Sequence, residues 1–388
     1  MKIGIVTLIG EYNYGNLLQS YALQTILERM GHDVVTLNRR SPRPGTKLIL
    51  LRSASLIKCI IKRFILGRKD ILVVNPFSED YCVRNREYRL NLMQFVHENI
   101  KRTKALRSNE ELKKFSESKD IDAYIVGSDQ IWREDYVYDI KESFLSFLPK
   151  EYNGKRIAYA ASFGKDSNFI SQEKLPICKD LLKLFDAISV REKSAEGICK
   201  KVFNVEAKWI LAPTMLLSRE DYCTLFHKSQ TLPSKGKLIY YVLDSNETIL
   251  KHIEQIAQNL GLKSHNCYVS KYKGNSIQYD LYLPPVEQWL KAFEDAEYVI
   301  TDSFHACVFS ILFNKPFVCI GNKSRGNARF DSLLGLFGLE FRLVEELSDI
   351  EEKILIPIDW DRVNKILKEK RKEANEFIVK ALNNEREP

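Results

Sequence analysis

Short apolar runs rich in β-branched and aromatic residues alternate with longer amphipathic ones along this chain. Lys2–Leu8, Val34–Leu37, Ala123–Val126, Ile157–Ser162, Ala187–Val190, Leu238–Leu243, Lys263–Cys267, Tyr298–Ile300 and Phe317–Ile320 read as strands. Most carry little charge, as strands buried on both faces of a parallel sheet do. Between them, 3.6-residue periodicity predicts helices over Leu17–Met30, Glu247–Asn259, Val286–Ala296 and Phe304–Phe313, and a long charged helix over Asp361–Asn383. Asn16 with Gln19 three residues later resembles a capping box, and Gly31 stops the first helix.

Strand–helix alternation over 388 residues predicts an α/β protein of two domains. A segment with Pro233, Ser234 and Gly236 reads as the linker, giving an N-terminal Rossmann-like domain over 1–230 and a C-terminal one over 237–388. The last helix is placed to cross back to the first domain. Two Rossmann-like domains facing a cleft form a GT-B-like arrangement, an analogy of fold only.

In such sheets ligands sit off the carboxyl ends of the strands. Those ends are chemically equipped here. After Tyr298–Ile300, Thr301-Asp302-Ser303 offers turn and cap oxygens. The helix that follows aims free N–H groups and a positive dipole end outward, with His305 in its first turn. Gly127-Ser128-Asp129, Ser162-Phe163-Gly164 and Arg191-Glu192 close three first-domain strands and fit one cleft wall. The opening unit lacks G-x-G-x-x-G, so nothing points to a dinucleotide; Gly15, beside Asn16, permits close backbone approach by a ligand. Each residue alone has a plain structural explanation: His305 as a hydrogen bonder, Asp129 as a turn cap, Arg325 and Arg329 as solvated loop charges.

The eight cysteines are scattered without a C-x-x-C pair, the usage of buried thiols in a reducing compartment and not of a disulfide or zinc framework. No metal or other cofactor is expected. The first residues are too strand-like for a secretion signal and no run reaches transmembrane length, so a cytoplasmic location is expected. Charge changes the picture in one place. Ten Lys or Arg and no acidic residue lie between Arg39 and Lys69, at the start of a basic helical insertion over 39–106. Within it, 48–66 interleaves aliphatics and Phe64 with Arg52, Lys58, Lys62 and Arg63. That helix either packs on its own domain with a solvated basic face or lies peripherally on the inner membrane face. No aromatic–basic module or zinc finger indicates nucleic acid.

The motifs N-Y-G-N-L-L-Q-S-Y-A-L-Q (13–24), I-V-G-S-D-Q-I-W (125–132), R-I-A-Y-A-A-S-F-G (156–164), S-V-R-E-K-S (189–194) and V-I-T-D-S-F-H (299–305) occur in order, followed by N-K-P-F (314–317) and N-x-R-F with L-L-x-L-F-G-L (327–339). Together they resemble the polysaccharide pyruvyl transferase family. The resemblance implies transfer of pyruvate from phosphoenolpyruvate to sugar hydroxyls, as a cyclic ketal, on a bacterial surface polysaccharide or a lipid-linked oligosaccharide precursor. It implies His305 as general acid or phosphate partner and Arg191 as a donor ligand. Asp129, with Glu192 second, would orient or deprotonate the acceptor. Gly15, Asn16, Ser128, Ser162, Ser303, Phe304, Arg325 and Arg329 complete the expected substrate-binding set. Two positions depart from the family pattern: Ala212-Pro213-Thr214 replaces Asp-Pro-Thr, and Ala306-Cys307 follows the histidine in place of Gly-Thr. Two other readings are compatible with these residues, a GT-B glycosyltransferase using a nucleotide sugar and a non-catalytic sugar-binding protein at the membrane surface.

Overall fold

The structure, a computed structural model, describes residues 1–8, 13–40, 46–67, 89–164, 166–167, 170–267, 283–321 and 326–383. It contains two parallel sheets. The first has the order β2-β1-β3-β4-β5-β6, from β1 (Lys2–Val6), β2 (Asp33–Thr36), β3 (Ala123–Val126), β4 (Lys155–Ala161), β5 (Ala187–Val190) and β6 (Lys208–Trp209). The second has the order β11-β10-β9-β7-β8, from β7 (Leu238–Tyr241), β8 (Ser264–Asn266), β9 (Tyr298–Thr301), β10 (Phe317–Ile320) and β11 (Leu343–Val344). Every strand pairing is parallel, so helices must carry each crossover and cover both faces. These are two Rossmann-like domains in a GT-B-like arrangement. The two-residue edge strands β6 and β11 are too short to have left a periodic signal.

Helix α1 spans Tyr14–Arg29, three residues earlier than its periodicity predicts. Asn13, not Asn16, is its cap: the Asn13 side chain accepts from the Asn16 N–H at 3.2 Å. Asn16 is thereby freed from capping and its amide turns inward. The basic segment forms α2 (Thr46–Ile60), continued by a π-helical turn over Ile61–Ile65. Among its described side chains none is buried; Leu56 and Cys59 are half-buried, and Ile57, Ile60 and Ile61 are exposed. Helix α3 (Leu90–Asn99) returns the chain to the core through Leu92, Phe95 and Val96. Among the described residues no helix is long and apolar enough to cross a membrane.

One apolar cluster runs through both domains, from Ile3 and Leu17 to Trp289 and Phe309. Tyr14 is its hinge pin. Its ring stacks on Trp289, centroids 5.1 Å apart, while its hydroxyl donates to the Pro284 carbonyl at 2.8 Å. The last helix, Trp360–Asn383, lies against first-domain residues. Arg371 donates to the carbonyls of Met215 (2.6 Å) and Leu217 (2.7 Å), and Lys208 pairs with Glu373 at 2.8 Å.

Arg371→Met leaves two largely enclosed carbonyls without donors. The expected cost is about 1–3 kcal/mol, read as a lower urea midpoint with an unchanged slope; an unchanged midpoint shows that the last helix is held without this contact.

Candidate active site

The carboxyl ends of both sheets converge on one cleft, and each end is fixed by local hydrogen bonds. In the first domain the loop after β3 is pinned by Ser128, whose N–H donates to Gln19 (3.0 Å) and whose hydroxyl donates to the Ala160 carbonyl (2.7 Å). Asp129 follows at φ +60°, a left-handed conformation that Asp tolerates better than most side chains. Its carbonyl accepts from Ile131 (2.7 Å) and Ser162 (3.1 Å), so the loop is held on both sides. The Asp129 carboxylate accepts from Asn16 Nδ2 at 2.6 Å and lies 3.3 Å from Arg191 Nη2.

Arg191 is caged. Its guanidinium also reaches Ser162 Oγ at 3.1 Å and Glu192 Oε1 at 3.4 Å, and lies over the Phe304 ring of the other domain at 4.6 Å. Ser162 in turn donates to Glu192 and accepts from the Gly164 N–H. The three strand ends expected to form one wall do meet, but as an ordered layer: Asp129 faces the cavity, while Arg191, Ser162 and Glu192 lie behind it, each almost fully buried.

In the second domain Asp302 clamps the turn before the His305 helix. Its carboxylate accepts from the N–H groups of Leu243 (2.7 Å) and Asp244 (2.8 Å), while Thr301 Oγ1 donates to the Tyr241 carbonyl at 2.6 Å. The helix Phe304–Leu312 then starts at Ser303 with no side-chain cap, its positive end open to the cleft. His305 is 7% exposed. Its ring lies on Gly15: a Cβ built there would come within 2.1 Å of ring atoms Cγ and Nδ1. Gly15, expected to admit a ligand, instead admits this imidazole.

Burial drives the His305 pKa down to about 3, against the pull of Asp129 and with the help of Arg191 and Arg329, so the ring is neutral at pH 7. Burial opposes the charge on Asp129, yet Arg191, His305, the Asn16 hydrogen bond and Arg329 outweigh it and bring the pKa to about 2. Burial, then Arg191, pulls the Arg329 pKa down.

A cavity of about 680 Å³ opens onto these groups. Asn16, Asp129, Ser303, Phe304, His305 and Arg329 line its inner end; Arg39, Tyr136, Tyr138, Asp139 and Glu142 line the outer one. His305 Nε2, Arg329 Nε and Arg191 Nη1 are buried with no hydrogen-bond partner among the described residues. Arg329 also makes no ion pair among them. Ser128 and Ser162 position other groups and do not line the cavity. Arg325 and the neighbouring Lys323 lie outside the described residues. Ala212, Ala306 and Cys307 are core positions, 3%, 0% and 0% exposed. Among the described residues no group of His, Cys, Asp or Glu could hold a metal ion.

The outer end was not anticipated from the motifs. Arg39 and Glu142 form a two-pronged ion pair (2.6 and 3.1 Å) across 103 positions of sequence, and Arg39 lies over the Tyr138 ring at 5.1 Å. Arg133 lies likewise over Tyr136 at 4.4 Å. Only the density of Tyr and Asp in Asp135–Asp139 hinted at a polar aromatic wall.

Two consequences are measurable. Gly15→Ala drives a methyl group into the His305 ring; turnover is expected to fall by roughly ten-fold or more with circular dichroism unchanged, since small displacements of a catalytic group are costly. Unaltered turnover shows that the ring has room to move. The second concerns acid stability. The unfolded chain protonates His305 below about pH 6.5, while the folded chain resists until about pH 3. Stability is therefore complete above that window and falls as pH drops through it, by about 2 kcal/mol at pH 5 from this residue. His305→Gln should flatten the decline between pH 7 and pH 5; Asp129 does not interfere, because its own loss starts only below about pH 4. An equal decline in both proteins removes His305 as the cause.

A solved structure similar over the whole chain is the UDP-GlcNAc 2-epimerase from Neisseria meningitidis bound to UDP-GlcNAc, with TM-score 0.52, 9% identity, and 98% of this chain and 99% of that chain covered. The glycotransferase of kitacinnamycin (TM-score 0.48, 12% identity, 98% and 99% covered) and Acinetobacter baumannii MurG (0.42, 11%, 98% and 94%) are also similar. At such identities the likeness is one of fold. No curated protein matches the chain. The family model described as Polysaccharide pyruvyl transferase matches residues 13–324, across both sheets and every group of the inner cavity except Arg329, and the chain belongs to that family.

Proposed function

We propose that this protein transfers pyruvate from phosphoenolpyruvate to two hydroxyls of one sugar, forming a cyclic ketal on a bacterial surface polysaccharide or on its lipid-linked precursor. The observation that carries the reading is a pair of buried nitrogens with no hydrogen-bond partner among the described residues, His305 Nε2 and Arg329 Nε, beside an uncapped helix N-terminus. Unsatisfied buried donors are costly and call for an acceptor. A small dianion or trianion supplies it, and a guanidinium suits carboxylate and phosphate alike.

The chemistry follows from the charges. Phosphate beside His305 offsets the burial that keeps the ring neutral, so the imidazole gains its proton once donor is in place. That proton goes to the methylene carbon of phosphoenolpyruvate and leaves positive charge on the central carbon. One sugar hydroxyl adds there and its proton restores His305. The second hydroxyl adds as the carbon–oxygen bond to phosphate breaks, and inorganic phosphate leaves with the remaining proton. Asp129, with a pKa near 2, is too weak a base to hold a proton at pH 7. It orients the hydroxyl and stabilises the cationic carbon instead. Arg191, in the layer behind the cavity, holds Asp129 ionised. Tyr138, Tyr136 and Asp139 give the outer cavity the apolar faces and carboxylate that a sugar requires.

The test is release of inorganic phosphate from phosphoenolpyruvate with a panel of sugar acceptors. His305→Ala is expected to cut the rate by about 100-fold or more. Turnover of a nucleotide sugar with no such phosphate release makes the protein a glycosyltransferase; turnover of neither makes it a sugar-binding module.

A further inference from the structure

The segment from Thr46 to Leu66 has no part in the reaction above, yet it is the most unusual surface of the molecule. Leu50, Ile57, Ile60, Ile61, Phe64, Ile65 and Leu66 are 39% to 75% exposed. The spacing of Leu50, Ile57, Ile61 and Phe64 puts them along one side of a helix. Single exposed apolar side chains are ordinary; a row of this kind marks a surface that meets something apolar. Its charge is as one-sided as its polarity. Between Arg39 and Lys69 there are ten basic residues and no acidic one, and Lys58 and Lys62 make no ion pair among the described residues. A protein partner could match the apolar row, but a bilayer carrying anionic headgroups matches both features at once.

Position gives the surface a purpose. Arg40 lines the cavity, and Thr46 begins the helix six peptide links later. An extended chain covers at most about 3.6 Å per residue, so the helix starts within roughly 20 Å of the cavity wall. We infer that residues 46–66 dock the protein on an anionic bilayer and hold the outer, Tyr138 end of the cavity close to the lipid surface. A carrier-linked sugar then reaches the cavity without leaving the membrane. The docking does not rest on the pyruvyl reading, since a bilayer is recognised by this segment whatever the cavity turns over.

Each basic residue near an anionic surface contributes about 1 kcal/mol, screened within a Debye length. The experiment is flotation of the full chain with vesicles of phosphatidylglycerol and phosphatidylethanolamine, at low and at high salt, and with phosphatidylcholine vesicles as the neutral control, without donor or acceptor. The wild type is expected to float with the anionic vesicles at low salt and to be released by high salt. Combined Lys58→Glu, Lys62→Glu and Arg63→Glu should lower binding by at least ten-fold. Combined Phe64→Ser, Ile65→Ser and Leu66→Ser should also weaken it, through the loss of insertion. Sedimentation velocity on the same proteins checks the competing occupant, a second copy. Absence of anionic-vesicle binding by the wild type overturns the inference. Equal binding by all three proteins also overturns it. So does a wild-type dimer that the serine variant dissociates without any vesicle binding. Phosphate release with a soluble acceptor, measured in parallel, shows whether the reaction stands independently.

Discussion

The Asp129 carboxylate is the charge on which the site depends. It is 7% exposed, and an isolated carboxylate so placed would be expensive to keep ionised. Arg191 behind it and Asn16 beside it make the charge affordable, and each arrives from a different crossover of the first sheet. Arg191 needs its own restraint, which Glu192 and Ser162 provide. The first domain thus presents a compensated carboxylate on a rigid layer. The second domain presents the opposite: an imidazole, a guanidinium and a helix terminus whose donors have no partner among the described residues. The asymmetry makes one wall receptive to an anion and the other to a hydroxyl.

Contact between the domains is part of the same arrangement. The ring of His305 rests where any side chain at position 15 would stand, so glycine there sets how closely the walls approach. The approach strips water from the imidazole and holds it neutral. A neutral ring in an anion-receptive wall is a poor acid until an anion arrives. The unliganded site therefore does not hold a proton in advance; in the proposed reaction it acquires one through the electrostatics of binding.

Much of this was legible in the sequence, for identifiable reasons. Buried parallel strands are written as short uncharged runs, and Ala123–Val126, Ala187–Val190 and Phe317–Ile320 coincide with their predicted limits. Because α/β sheets put chemistry at strand ends, the sequence brings Asp129, Ser162, Arg191 and His305 to strand ends; Asp129 and His305 line the cavity, and Ser162 and Arg191 lie in the layer behind it. What they do there was less visible. A cap three residues upstream looks the same in sequence as the cap that was chosen, so Asn13 and Asn16 were exchanged, and only the fold shows that the second amide serves Asp129. A glycine announces a need for room but not what fills it. An arginine at a strand end does not reveal that a carboxylate from the end of β3, two strands away, will join the adjacent Glu192 in enclosing it. The Arg39–Glu142 pair depends on an insertion whose return path no local pattern encodes.

Asp129 and His305 at one end of the cavity are each 7% exposed, whereas Tyr136 and Tyr138 at the other are 47% and 57% exposed. The anion-receptive end is thus the enclosed end. A sugar seated against the tyrosines closes the route by which a small anion would enter or leave. For the proposed reaction this geometry favours donor before acceptor, and it couples the order of binding to the protonation of His305. The imidazole is charged before the hydroxyls arrive, and the phosphate formed last waits for the product to depart. The outer tyrosines sit on the wall that leads, through Arg39 and Arg40, into the basic helix. With residues 46–66 docked as inferred and the reaction as proposed, exchange of the acceptor falls on the membrane-proximal side, and exchange of the small anion falls in the intervals between acceptors.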